Sequence, residues 1–341
     1  MKHGTFFWFV LPSAVLMLLF IALPIVSVVT QSLYAAHEQV IETVENCGPF
    51  GCTESTAVNQ EATQALKEAE PLGRFAGTEI YTDRNHLAFA EVGGAWREAD
   101  ALPDFGAALM NLPFYRAMAF TLTYTFIVTP LTIIAGFMIA LAVNSVARFL
   151  KGPTIFLSLL PMVVTPIVGG LILFWMVDAR GVLGAALQWL TDDPGLSVKA
   201  DTTLTWIMLM VYGVWHSAPF AFVVYYAGLQ TVNQDTIEAA LIDGASRWER
   251  IRYVVIPHLF PLTTFIALIQ LMDNFRVFEP LVSFQAQAHA QSLSYFIFSD
   301  LGGETRLLSS AAATSVLTIL GVALLLSPVL VRTYRDFTPR T

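Results

Sequence analysis

EAALIDGASRWERIRYVVIP, Glu238–Pro257, is a polar stretch between two segments apolar enough to cross a bilayer. A charged connection in that setting is a loop that a membrane protein presents to water. Within it Glu238-Ala239-Ala240 reads as helix and Asp243-Gly244-Ala245 as a break. Ser246 to Ile256 reads as a second helix, stopped by Pro257. Gly244 is the hinge, because a residue without Cβ takes positive φ where two helices meet. Ser246 fits the N-cap of the second helix, with Glu249 three residues on as its capping-box partner.

Composition agrees with that reading. Of 341 residues 55% are hydrophobic and 13% charged, against roughly 25% charged in soluble domains. Mean hydropathy is +0.62. The net charge of −8 argues against nucleic acid, which would want a basic face. Length and several long apolar runs favour one polytopic bundle over several domains.

Outward from the loop, six runs are long enough to span: Phe6–Thr30, Ala117–Val143, Pro153–Val177, Thr203–Leu229, His258–Phe284 and Ser309–Val331. The first is longer than the apolar core of a signal peptide, holds Pro12 and Pro24, and is expected to stay in the mature protein. Gln31 to Leu112 differs in kind. Its Asp and Glu residues far outnumber Lys67, Arg74, Arg84 and Arg97, so it reads as a water-exposed insert, helical over stretches such as Ala57 to Ala69. It contains Cys47 and Cys52 in CGPFGC, the only cysteines of the chain. A bridge across so short a turn is geometrically possible and needs an oxidising compartment; two free thiols are the alternative.

The loops also give an orientation. Arg148 and Lys151, then Arg247, Arg250 and Arg252, then Arg332, Arg335 and Arg340 fall on one side. The acidic insert, Asp178, Asp192, Asp193, Asp201, Asp300 and Glu304 fall on the other. Short Lys/Arg-rich loops stay cytoplasmic, which puts both termini and the Glu238–Pro257 loop inside and the cysteines outside. The expected fold is therefore an all-α polytopic membrane protein. It has an N-terminal transmembrane helix (residues 1–30), a periplasmic insert (31–112) and a five-helix core (113–341) carrying the cytoplasmic loop 235–257.

The central loop resembles the EAA loop of the membrane subunits of bacterial binding-protein-dependent ABC importers. The family pattern is E-A-A, three residues, G, nine residues, then I-x-L-P. Glu238-Ala239-Ala240, Gly244 and Val254-Val255-Ile256-Pro257 match it, with Val254 and Ile256 in place of Ile and Leu. Leu122–Asn144 looks like the second core helix of the sugar-importer branch. NFRVFEPL, Asn274–Leu281, resembles the F-(K/R)-x-F-(D/E) stretch of maltose-type permeases, with Glu279 where Asp is commoner. The likeness covers most of Ala117 to Arg340. The insert shares only its position with that of the maltose-type subunit, which touches the binding protein.

The resemblance implies that Glu238, Ala239, Ala240, Asp243, Gly244, Ala245 and Pro257 belong to a coupling helix that docks on a cytoplasmic ATPase. It further implies a second permease subunit, two copies of that ATPase, a periplasmic solute-binding protein, a sugar-type substrate and alternating access in the bacterial inner membrane. ATP and Mg would be bound by the partner ATPase, and no cofactor is expected in this chain. No G-x-x-x-x-G-K-[ST] loop occurs, and no Cys/His cluster or hydrolytic triad suggests itself, so a non-catalytic subunit is expected.

Family substrate contacts fall on the fifth span. There Gln270, Asp273, Asn274 and Val277 form a stripe at helical spacing, with Asp273 and Arg276 about halfway along. Ionisable groups at such depth face a bundle interior or a polar cavity, and amides and carboxylates suit sugar hydroxyls. Asp273 and Arg276 could instead pair with each other. On the fourth span Trp215, His216 and Phe220 offer aromatic stacking beside polar groups, though a lone His there can equally be a satisfied structural residue. Trp175, Trp189 and Trp206 read as interface anchors. Pro161, Pro166, Gly169 and Gly170 should kink or loosen the third span. An ion-coupled secondary transporter and a membrane receptor are the rival classes, and a glycerol phosphate or polyamine is the rival cargo.

Overall fold

The structure is a computed structural model that describes residues 3–37, 40–48, 51–302 and 306–337. Glu38, Glu304 and Arg340 of the charge argument lie outside the described residues, as do the side chains of Arg335, Cys47 and Cys52. The chain divides into two compact units: Met1–Arg116 with Phe296–Ile319, and Ala117–Tyr295 with Leu320–Thr341.

Among the described residues five helices are long and apolar enough to cross a membrane: α1 (Phe6–Gln31), α5 (Pro113–Ser145), α9 (Thr202–Leu229), α11 (Arg247–Phe275) and Leu308–Arg332. The last lies within a longer helix, α14 (Leu308–Phe337). A sixth span is bent. Its halves, α6 (Lys151–Val163) and α7 (Pro166–Met176), meet at 92°. The bend falls at Val164 and Thr165, both in extended conformation. Pro166 explains it, because a proline disfavours the helical conformation in the residue before it.

In the first unit the insert is only partly helical. Strand β1 (Tyr34–Ala35) pairs antiparallel with β4 (Arg74–Phe75), and β2 (Ile41–Gly48) pairs with β3 (Gly51–Val58) as a hairpin that sets Cys47 opposite Cys52. β3 occupies the start of the helix expected from Ala57. The helix α2 (Gln60–Ala69) begins only after Asn59, whose side-chain oxygen accepts from the Ala62 amide at 2.9 Å as an N-cap. A single turn of helix at Glu79–Thr82 follows, then two longer helices, α3 (Phe89–Glu98) and α4 (Leu102–Met110). Later in the chain α13 (Leu293–Gly302) leads towards α14.

The second unit is built on α5 and α9. Phe120, Tyr124 and Val128 of α5 pack with Leu209 and Met210 of α9 and with Leu281 and Phe284. Further along, Ala140 and Val143 meet Ala221, Phe222 and Tyr225 of α9 and Leu259 and Ile266 of α11. Small residues set this closeness: a Cβ at Gly213 would collide with the Tyr124 hydroxyl. Close backbone approach is how helices associate in lipid, where apolar burial itself contributes little. Trp206 is packed in this unit rather than left as an anchor. Its ring lies edge-on to Phe120 at 4.9 Å and its Nε1 donates to the His289 carbonyl at 2.9 Å. Trp175 and Trp189 stay exposed.

Pro257 does not stop its helix. α11 runs through it to Phe275, with Ile251–Val255 as a π-helical turn in which the Ile256 amide donates to the Ile251 carbonyl. α1 does the same: Leu18–Ala22 is π-helical, the Leu23 amide donates to Leu18, and Pro24 follows. A proline removes a main-chain donor and crowds the preceding turn, and widening that turn by one residue lets the helix continue.

Candidate functional site

The Glu238–Pro257 loop is a helix–turn–helix with both ends of the turn capped. α10 (Gln234–Ile242) starts at Asn233, whose side chain accepts from the Asp235 amide at 2.9 Å. It carries Glu238, Ala239 and Ala240 and ends at Asp243. The Ala245 amide then donates to the Ala240 carbonyl at 2.9 Å and the Gly244 amide to Leu241 at 3.1 Å. This is a Schellman motif, and it requires the left-handed φ of +81° found at Gly244. Ser246 opens the next helix through the expected capping box: its Oγ accepts from the Glu249 amide at 3.3 Å, and Glu249 accepts from the Ser246 amide at 2.7 Å. Arg247 reaches back to the end of α5, donating to Ser145 Oγ at 2.6 Å. Ala240 and Ala245 are half-buried, whereas Glu238, Asp243, Gly244 and Pro257 are exposed. Leu241, Ile242 and Trp248 are also open to solvent, an apolar face on an otherwise charged turn.

The second unit also encloses a cleft of about 530 Å³ between α5, α9, α11 and the segment that follows α11. Five of the six sequence-selected contacts line it: Gln270, Asp273, Asn274, His216 and Phe220. Trp215 is outside the lining; it is half-exposed and tilted against Tyr212 at 5.9 Å. Tyr124, Tyr212 and Glu279 join the lining although the sequence did not single them out as contacts. Glu279 carried a signal, as the acidic position of the Asn274–Leu281 motif. The two tyrosines carried none, since an aromatic in an apolar run is usually core.

Several of the polar groups have a local role as well. Asn274 is buried and donates from Nδ2 to Thr129 Oγ1 at 2.9 Å, tying α11 to α5. Gln270 is 4% exposed at the cleft wall. His216 Nε2 donates to the Val164 carbonyl at 3.1 Å, and the Tyr212 hydroxyl donates to the Pro166 carbonyl at 3.2 Å. The Val164 carbonyl sits at the break, outside both α6 and α7, so α9 supplies a donor to backbone that the bend frees, and the Tyr212 bond holds α9 to the first residue of α7.

Asp273 and Arg276 are not midway along a span. α11 ends at Phe275 with Arg276 as its C-cap, and the chain turns before the short helix α12 (Glu279–Ser283), which has Pro280 in its first turn. A proline there starts a new helix more easily than it extends an old one. Val277 accordingly leaves the helical stripe, although it still lines the cleft. Arg276 Nη2 donates to Asp273 Oδ1 at 2.9 Å, with side chains 59% and 52% exposed. An open pair of that kind contributes about 0–1 kcal/mol and leaves both groups facing the cleft.

Comparison with known proteins gives the family. Residues 105–331 match the family model of the binding-protein-dependent transport system inner membrane component. The chain is 31% identical over 173 residues to the probable ABC transporter permease protein y4oQ of Sinorhizobium fredii, covering 50% of this chain and 54% of that one. It is 28% identical over 179 residues to the trehalose/maltose transport system permease protein MalF of Thermococcus litoralis, covering 49% and 56%. It thus spans about half the length of these curated relatives. A solved bacterial ABC transporter involved in the import of the acidic polysaccharide alginate shares the fold, with a TM-score of 0.59 at 20% identity over 82% of this chain and 98% of the other. An all-α, multi-pass inner-membrane protein with five or six candidate spans and an EAA-type turn, this chain belongs to the family of binding-protein-dependent ABC importer permeases, non-catalytic components of transport.

Proposed function

We propose that the chain forms half of the translocation path of an ATP-driven importer for a carbohydrate: an oligosaccharide, a glycoside or a polyol. The observation that carries this is the cleft itself. It gathers amides, carboxylates, a guanidinium and an imidazole beside Phe220 and Tyr212. Such a wall both donates to and accepts from hydroxyls and offers aromatic faces to C–H surfaces. The trehalose/maltose name of one relative supports the same class.

A second permease completes the path, and two copies of a cytoplasmic ATPase that binds ATP and Mg close against both coupling loops. The exposed Leu241, Ile242 and Trp248 suit burial in a groove of that ATPase. A periplasmic binding protein delivers the solute when the path opens outward. Each ligand shifts the balance only by its preference for one conformation over the other. Both termini lie in the cytoplasm in this arrangement, and the insert with Cys47 and Cys52, bridged as a disulfide, lies outside.

The test is gentle purification of the tagged chain from its host with ATPase assay of the preparation. Co-purification of an ATPase and a second permease, with ATP hydrolysis stimulated by a binding protein loaded with a neutral sugar, is expected. Stimulation only by a glycerol phosphate or a polyamine would overturn the carbohydrate assignment. Crosslinking in intact membranes that finds no ATPase would overturn the coupling role.

A further inference from the structure

The insert ends in two amphipathic helices whose apolar sides are left open. Phe89, Val92 and Trp96 recur at helical spacing along α3, with Glu91 and Glu98 on the opposite side. Leu102, Phe105 and Leu109 do the same along α4, opposite Asp104. The two stripes meet: the Trp96 and Phe105 rings pack edge-on at 5.1 Å. Contact with each other does not cover them, for Phe89 is 61%, Trp96 62% and Leu102 75% exposed. A recess of about 220 Å³ opens between the helices at Trp96, Leu102 and Phe105.

Both ends of this pair are held at one place. Only Asn111 and Leu112 separate α4 from α5, which begins at Pro113 as a membrane span. At the other end the Tyr115 hydroxyl, in the first turn of α5, donates at 2.8 Å to the Leu87 carbonyl just ahead of α3. The first turn of α5 thus holds both ends of the pair. An apolar stripe with aromatic residues next to the start of a span fits a helix lying in a bilayer interface, and its polar side here is acidic rather than basic.

We propose that α3 and α4 lie in the lipid headgroup zone beside the start of α5, with Phe89, Trp96 and Leu102 inserted towards the acyl chains. The insert is then seated on the membrane as well as tethered to it. This goes beyond the carbohydrate assignment and depends only on α5 crossing the bilayer.

Nitroxide labels at Trp96→Cys and Leu102→Cys, in the full complex in lipid nanodiscs with Cys47→Ser and Cys52→Ser, test it by collision with oxygen and with a polar nickel chelate. Oxygen collisions should dominate at both sites, and the chelate should dominate at a Lys67→Cys control on α2. Equal access of the chelate to positions 96, 102 and 67 overturns the proposal. So does an immobilised label shielded from both probes, which would mean that protein covers the patch. A second measurement keeps the native cysteines: wild-type tryptophan fluorescence should lose more intensity to lipids brominated near the headgroups than does Trp96→Phe. Equal loss in the two proteins overturns the proposal as well.

Discussion

The imidazole of His216 donates from Nε2 to the main-chain carbonyl of Val164 at 3.1 Å, across the point where the third span bends by 92°. A buried carbonyl without a donor costs about 1–3 kcal/mol. His216→Ala should therefore destabilise the permease by about that amount, whereas His216→Gln, which can still donate, should recover part of it. Thermal unfolding of the purified complex reads both. Equal losses for the two variants would mean that the bend does not depend on this bond.

Gly213 of α9 lies directly against the Tyr124 hydroxyl of α5. Gly213→Ala places a methyl group against the tyrosine hydroxyl and should cost about 1–3 kcal/mol through overpacking. Tyr124→Phe removes the nearest atom, so the double variant should lose less than the sum of the two singles. A double-mutant cycle of unfolding midpoints measures that difference, and strict additivity would rule the contact out.

Gly244 holds φ +81° in the turn between α10 and α11, with open space where a Cβ would lie. Gly244→Ala therefore meets backbone strain alone, roughly 1–2 kcal/mol for an L-residue held left-handed. Gly244→Pro cannot adopt the conformation at all and also loses the amide that donates to Leu241. Transport should fall modestly in the first variant and be abolished in the second, with the protein still inserted. Uptake with normal ATP dependence in Gly244→Pro would remove the turn from the coupling path.

Asp178, just beyond the bent span, accepts from Lys199 Nζ at 2.9 Å, and that hydrogen bond with the lysine charge holds its carboxyl below the ordinary carboxylate value of 3.8. The lysine also sits 3.4 Å from the centre of the Phe174 ring. A lowered folded pKa means that the pair's contribution is fully present above 3.8 and is lost as pH falls through the folded value. The melting difference between wild type and Asp178→Asn should accordingly hold at neutral pH and vanish on strong acidification. A difference independent of pH would assign the effect to packing.

Much of the Glu238–Pro257 turn was legible in the sequence. Glu238-Ala239-Ala240 as helix, Gly244 as the left-handed residue and the Ser246–Glu249 box are local devices, each decided by side chains within a few residues of one another. The cleft was legible only in outline. Gln270, Asp273, Asn274, His216 and Phe220 do face one space, but that required α9 and α11 to pack in a particular rotation. Trp215 falls outside it for the same reason, one residue of rotation from His216.

The amino-acid sequence by itself determined what short-range chemistry decides: which runs are apolar enough to span, that the third span is weakened around its prolines and glycines, and how the Glu238–Pro257 turn is capped. Only the tertiary structure decided the rest. Pro257 looks like a stop, yet its helix passes through by a π turn, because the surrounding span favours an unbroken helix over exposed backbone. Asp273 looked mid-span, and the end of α11 at Phe275 moved it to a helix terminus beside Arg276. The Asn274–Thr129 and His216–Val164 bonds join residues remote in sequence, and such partners exist only once the helices have packed.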